Sequence, residues 1–304
     1  MWGRLSEGLL DDVGHEDTLT TMQDSQAGPD RSVIRPESFP AILAVAETGI
    51  NVGDLATMSL WTVPTKSFSR DVRAAMVEHD YDAAPLADDG IWRYVTLDQL
   101  DGGGVVEEAA IPIRADDIVH ESVGLVTALE ALAAKPFLFV LRDRGVHGIL
   151  TRSDVQSAPA TLAALGLVLA FEEGLKNVIR SVAAGTWVSK LLTPRIQYAE
   201  KILESRRRHN AEIDLLECVQ FADLFDIASK EPLVQRSTSL SEGEFTALKA
   251  RIVPARDSMA HGGSLLSANP DPERAIALFM EIRLLAERMW SIGRSGLAND
   301  ALRS

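Results

Sequence analysis

Two stretches of this chain can be laid over each other, and the repeat constrains the fold more than any other feature of the sequence. The first, SRDVRAAMVEHDYDAAPLADDGIWRYVTLDQL at residues 69–100, reads as helix, strand, a turn at Asp88-Asp89-Gly90, strand, and then Thr96-Leu97-Asp98-Gln99. The second, SVGLVTALEALAAKPFLFVLRDRGVHGILTRSDV at residues 122–155, follows the same plan with its turn at Asp143-Arg144-Gly145 and ends on Thr151-Arg152-Ser153-Asp154. In both, apolar residues at helical spacing give way to short β-branched and aromatic runs bounded by turn residues.

After residue 157 the β signal disappears and helix starts take over. Ser157 with Pro159 and Thr193 with Pro194 open two helices, Ser241 with Glu244 makes a capping box, and Asp271 with Pro272 opens the last. The fold class expected is therefore α+β, with a repeated unit over 38–157 followed by an all-α bundle over 158–296. Residues 1–37, rich in Asp, Gly, Ser and Thr, read as a mobile tail, and 297–304 as a short C-terminal one.

A chain of 304 residues that is 46% hydrophobic and 24% charged suits a soluble protein of two domains. The longest uncharged apolar run, LAALGLVLAF at 162–171, is half the roughly 20 residues a membrane span needs. It reads as a buried core helix, and no membrane partner is expected. The N-terminus has no apolar segment of the secretory kind, and the single cysteine, Cys218, can form no intrachain disulfide, so a cytoplasmic location is expected. The net charge of -14 lies wholly in the first 161 residues, which hold 26 acidic and 12 basic side chains; from residue 162 there are 18 of each. The basic cluster Arg206, Arg207, Arg208 and His209 is thus a candidate RNA contact in a neutral half, or simply a solvated helix end.

On the residues quoted, the repeat resembles the cystathionine-β-synthase-type (CBS) domain, which occurs in tandem pairs and often binds adenine nucleotides. The resemblance spans roughly residues 50–157 and is tighter in the second copy, where Gly148, Thr151 and Asp154 stand at the family's positions. It implies that Asp154 accepts from ribose hydroxyls, Thr151 hydrogen-bonds a phosphate and Arg152 neutralises phosphate charge. Thr96 marks the matching point in the first copy, but Arg93 replaces the glycine and Gln99 the aspartate, so one competent site per pair is expected. Thr151 and Asp154 also suit a helix cap, and a packing and dimerisation role for the pair stays open.

The stretch ARDSMAHGG at 255–263 carries a second pattern. Asp257 and His261, four apart, share a helix face, so the carboxylate can hold one imidazole nitrogen and leave the other outward. Pro254 predicts a fresh or bent helical segment that Gly262 and Gly263 end. Arg256 sits about 140° round an ideal helix from His261, so the two converge by reach or across a symmetry axis. This spacing resembles the R-x-x-x-x-H motif of HEPN-type helical ribonucleases. The resemblance implies a homodimer in which His261 moves protons and Arg256, with Asp257 beside it, stabilises phosphorane oxygens, without a metal. A capped helix end with a surface ion pair is the other interpretation.

Together these features predict a metal-independent endoribonuclease of HEPN type regulated by AMP, ADP or ATP bound to a CBS pair. The alternative is a non-catalytic regulator that binds a protein or RNA partner. No catalytic cofactor and no metal are expected: Asp214 and Glu217, near His209, Asn210, Glu212 and Cys218, read as solvated or paired with Arg206 to Arg208.

Overall fold

The computed structural model describes residues 38–45, 49–87, 90, 92–209, 213–268 and 270–301. The expected tail at 1–37, the Asp88-Asp89 part of the first turn, Asn210, Glu212 and the last three residues lie outside them. The chain opens with α1 (Ser38–Ala44) and α2 (Val52–Leu55). The first copy follows as α3 (Ser69–His79), β1 (Ala83–Pro85) and β2 (Arg93–Thr96), then a 3₁₀ turn at Leu97–Gly102, α4 (Val106–Ala109) and β3 (Ile111–Pro112). The second is β4 (Ile118–His120), α5 (Leu125–Ala134), β5 (Phe137–Arg142) and β6 (Gly145–Thr151), closed by a 3₁₀ turn at Arg152–Gln156.

The repeat is wider than the contiguous overlay in sequence. β4 runs parallel to β5 ahead of the β5–β6 hairpin, and Val63 bridges Leu86 in parallel ahead of the β1–β2 hairpin. Each copy is then completed by a short helix and extended segment. For the first copy these are α4 and β3, with bridges Phe68 to Val105 and Tyr94 to Ile111. For the second they are α2 and Thr57, with bridges Asn51 to Gly124 and Thr57 to Ile149. Residues 50–58 therefore finish a unit that lies beyond the first copy in sequence. Gly148 is needed for that contact: a Cβ there would fall 2.8 Å from Met58 Sδ and 2.9 Å from the Thr57 carbonyl.

The helical half contains α6 (Ala158–Ala183), α7 (Thr193–Arg207), α8 (Phe221–Lys230), α9 (Pro232–Thr238), α10 (Glu242–Ala260), α11 (Leu265–Ala268) and α12 (Pro272–Ala301). The Ser241 capping box forms, with the Glu244 amide donating to Ser241 Oγ at 3.3 Å and the Ser241 amide to Glu244 Oε2 at 2.7 Å. Asp271 caps α12, accepting from the Glu273 amide at 3.0 Å. Thr193 is the first residue of α7 and Leu192 its cap. The expected tail from 297 is helical as far as Ala301, with no glycine or proline between Leu297 and Ala301 to end α12.

α6 is apolar and long enough to cross a membrane by length and composition, yet it packs inside the protein, with Leu167, Val168, Phe171, Leu175, Val178 and Ile179 fully buried. It lies against α12 at close range. A Cβ at Gly174 would come 2.8 Å from Met289 Cβ, and one at Gly293 would come 3.0 Å from Asn177 Cβ. One continuous core runs from Val52, Leu125, Leu138 and Leu150 of the second copy into α6, α8, α10 and α12. The first copy keeps a smaller core of its own around Val72, Met76, Val95 and Leu100. Edge-on contacts of Tyr94 with Phe137 and Phe139 join the two copies. The chain position 157/158 is thus a change of secondary structure and not a break between cores.

Gly174→Ala is expected to lower stability by about 1–3 kcal/mol through overpacking, outweighing the ~1 kcal/mol that alanine's helix propensity returns. Gly166→Ala, on the same helix but with only Ile42 Cγ2 at 3.6 Å, is expected to raise it by up to about 1 kcal/mol. Urea unfolding of the two variants separates these outcomes; equal shifts would mean that the α6–α12 contact is not tight.

Candidate functional site

Two concave sites contain some of the residues singled out in the sequence. The first is a cavity of about 460 Å³ where the repeat meets the helical half. Asp82 and Pro136, which directly precede β1 and β5, line it with Thr151, Arg152 and Ser153, and Asp271, Pro272 and Glu273 of the α12 start form the opposite wall.

The T-x-x-D step in this cavity is built as a cap. Asp154 Oδ2 accepts from the Thr151 amide at 2.6 Å and from its hydroxyl at 3.0 Å. In the first copy the Thr96 amide donates to Gln99 Oε1 at 2.8 Å, so Gln99 fills the structural place of Asp154. Burial pushes the Asp154 carboxyl above its usual range, against the two bonds from Thr151. Thr151 and Arg152 line the cavity; Asp154 and Thr96 are not among its lining residues. Arg152 donates through Nε to the Leu132 carbonyl at 2.8 Å and through Nη2 to Ala133 at 3.5 Å, and its Nη1 pairs with Glu273. One guanidinium thereby caps the end of α5 and reaches the first turn of α12.

The second site is a groove of about 450 Å³ among α6, α7, α8 and α10, whose polar walls include Glu172, Tyr198, Arg206, Glu217, Arg256 and Asp257. It brings together Arg206 from α7 and Arg256 with Asp257 from α10, residues fifty apart in sequence. α10 passes through Pro254 without restarting, so Ala255–Ala260 continues an existing helix. His261 is its cap, bonding back to the Asp257 carbonyl at 3.1 Å, and Gly262 closes it at φ +86.

The expected Asp257–His261 side-chain bond does not form. Asp257 Oδ1 accepts instead from Arg256 Nη1 at 3.2 Å, and His261 takes the cap conformation, φ -102 and ψ 18. His261 is exposed and does not line the groove. Arg207, Arg208 and His209 are exposed as well; Arg208 lies 4.0 Å from Glu204, and His209 Nδ1 donates to the Ser205 carbonyl at 2.8 Å. Arg256 Nε is buried with no hydrogen-bond partner, a cost of about 1–3 kcal/mol.

Beneath the groove lies an ion cluster built on α6. Lys176, 4% exposed, sits 3.0 Å from Glu172, 3.0 Å from Glu173 and 3.1 Å from Glu217. Arg180 holds Asp214 through Nε at 2.7 Å and Nη2 at 3.2 Å, and also pairs with Glu217. Asp214 and Glu217 are therefore paired with α6 and not with Arg206 to Arg208; Arg206 lines the groove, and Arg207 and Arg208 are exposed at the end of α7. The signal was present as Glu172, Glu173, Lys176 and Arg180 at helical spacing on an otherwise apolar helix. Burial works to lower the Lys176 pKa, but its three carboxylates outweigh that and raise it. Burial likewise works to raise Asp214, and Arg180 holds it below the usual carboxylate range.

No family model matches the chain, and no curated protein matches it. Among solved structures, CBSX2 of Arabidopsis thaliana in complex with AMP is 26% identical, covers 35% of this chain and 93% of its own, and has a TM-score of 0.32. A putative acetoin utilization protein from Vibrio cholerae is 19% identical over 34% of this chain and 86% of its own, at 0.32. The CBS domain of a bacterial CNNM/CorC family Mg2+ transporter, in complex with ATP, is 18% identical over 39% and 92%, at 0.31.

Lys176→Met leaves the half-buried Glu172, Glu173 and Glu217 with one counter-charge fewer, and is expected to cost about 2–4 kcal/mol at pH 7, below the full cost of a buried pair. Without the ammonium, the Glu173 carboxyl, which burial already holds above its usual range, rises further. The stability it withholds as an anion then returns as pH falls, so the deficit is expected to shrink between pH 7 and pH 5. Denaturant unfolding at both pH values checks this; an equal deficit would mean that Lys176 acts through packing alone.

Proposed function

We propose that this protein is an adenine-nucleotide-responsive regulator: a tandem CBS-type repeat takes the nucleotide in the cavity at Thr151–Ser153 and passes its occupancy to the helical half through α12. The observation that carries the proposal is Arg152. Its guanidinium is shared between the carbonyls that end α5 and Glu273 in the first turn of α12, and it lines the cavity between them. A ligand oxygen that takes Nη1 from Glu273 releases the start of α12. The differential affinity of the ligand for the held and released arrangements is the energy available for signalling. The capping boxes at Thr96 and Thr151, and the matched bridges of the two copies, support the CBS-type reading on this chain's own geometry.

The test is calorimetric titration of AMP into the full chain and into Ser153→Trp, an exposed cavity-wall position where a large ring fills the site. Saturable binding to the wild type is expected, at least about tenfold weaker in the variant, a difference of ~1.4 kcal/mol. Ligand is also expected to change amide exchange in the first turn of α12. Absence of binding at millimolar AMP ends the proposal, and undiminished binding to Ser153→Trp moves the site elsewhere.

A second reading is favoured by the meeting of Arg206 and Arg256 in one groove. In that reading the helical half is a HEPN-like ribonuclease active as a homodimer. The two arginines hold the scissile phosphate, and His261, exposed on one protomer, reaches the groove of its partner as the proton carrier. RNA cleavage in EDTA by the wild type, with His261→Ala and Arg206→Ala each about 10²-fold or more slower, is the expected result. Unchanged cleavage by His261→Ala, or none by the wild type on several RNA classes, removes this reading and leaves the regulator.

A further inference from the structure

We infer that the start of α12 sets the ligand class of the Thr151–Ser153 cavity, admitting an adenosine ligand with no phosphate or one and turning away a triphosphate. The inference rests on the nucleotide reading above and goes beyond it, because the residues that decide belong to the helical half. The cavity is large enough: about 460 Å³ falls within the roughly 300–1,000 Å³ of small-ligand pockets. Its charge is the constraint. Three carboxylates, Asp82, Asp271 and Glu273, line it, and Arg152 is the one cationic side chain among its lining residues.

That single cation is already engaged. Arg152 Nε and Nη2 face the Leu132 and Ala133 carbonyls, and Nη1 is held by Glu273. Glu273 is 65% exposed at its side chain and can swing into solvent, which frees one donor for one phosphate. The helix start offers no second anion site. Its amides at Glu273 and Arg274 donate to Asp271 Oδ1 at 3.0 and 3.4 Å, and Arg274 Nε lies 3.3 Å from Asp271 Oδ2, so the positive end of α12 is occupied by its own cap. Lys135, close in sequence to Pro136, is committed to Asp116 and Asp117 at 2.8 and 2.6 Å. Further phosphates would meet Asp82 and Asp271 with no lining cation beyond Arg152 to offset them, a repulsion these exposed carboxylates exert through solvent and low ionic strength strengthens.

The test is the affinity of adenosine, AMP and ATP for the full chain in EDTA, so that no divalent ion masks the triphosphate. The same ligands are then tested on Asp271→Asn/Glu273→Gln, in which Asn still caps the helix. In the wild type ATP is expected to bind about tenfold or more weaker than AMP, and in the double variant the two are expected to fall within about threefold. Adenosine should bind the two proteins alike, which shows that the variant's cavity is intact. ATP binding as tightly as AMP to the wild type, or an AMP-to-ATP ratio that the variant leaves unchanged, overturns the inference while the nucleotide reading stands. No binding by any of the three ligands overturns both.

Discussion

The structure depends on how closely α6 and α12 approach. Gly174 on α6 faces Met289 and Gly293 on α12 faces Asn177, at separations where a methyl group has no room. That approach lets two long helices share one apolar core with α8, α10 and the second copy of the repeat. Because α12 is held along α6, its first turn is delivered to Thr151–Ser153, where Asp271 and Glu273 become a wall of the cavity. Lys176 and Arg180, beneath the groove, belong to α6 of the same pair. The first site is therefore a consequence of this helix–helix contact, and the second shares α6 with it.

The shared core changes what regulation can mean here. If the repeat and the bundle were separate bodies on a linker, a nucleotide would have to act through their relative placement. Instead the second copy is packed into the bundle, and the first copy, with its own small core, is attached through Tyr94, Phe137 and Phe139. The element free to respond is local: the exposed Glu273, its pairing with Arg152 and the α12 cap. The buried cluster around Lys176 works in the opposite sense. Charges this deep are costly to uncouple, so Glu172 and Glu217 are held in place as groove walls and are poor candidates for movement.

Much of the local structure was legible. The repeat, the switch to an all-helical half, the capping box at Ser241 and the glycine-ended helix at 261–263 follow from short-range chemistry, since caps and turns need only residues within four positions of one another. Less legible were the side-chain partners. Asp257 pairs with its neighbour Arg256 and not with His261, and Asp214 and Glu217 turn to Arg180 and Lys176 across 34 and 41 residues. The completion of each repeat copy by a segment next to the other in sequence was also hidden. A β-bridge such as Thr57 to Ile149 leaves no periodic trace in either strand.

By itself, the sequence determined the order and type of the elements, the positions of the helix ends and the residues able to do chemistry, because these depend on backbone preference and spacing along one chain. The tertiary structure alone decided which of those residues meet. It brought Arg206 and Arg256 to one groove, kept His261 out of it, gave Asp154 a capping role and made Glu273 the partner of Arg152. Such pairings follow from how closely two helices can pack and which charges are buried when they do, and neither quantity exists until the chain has folded.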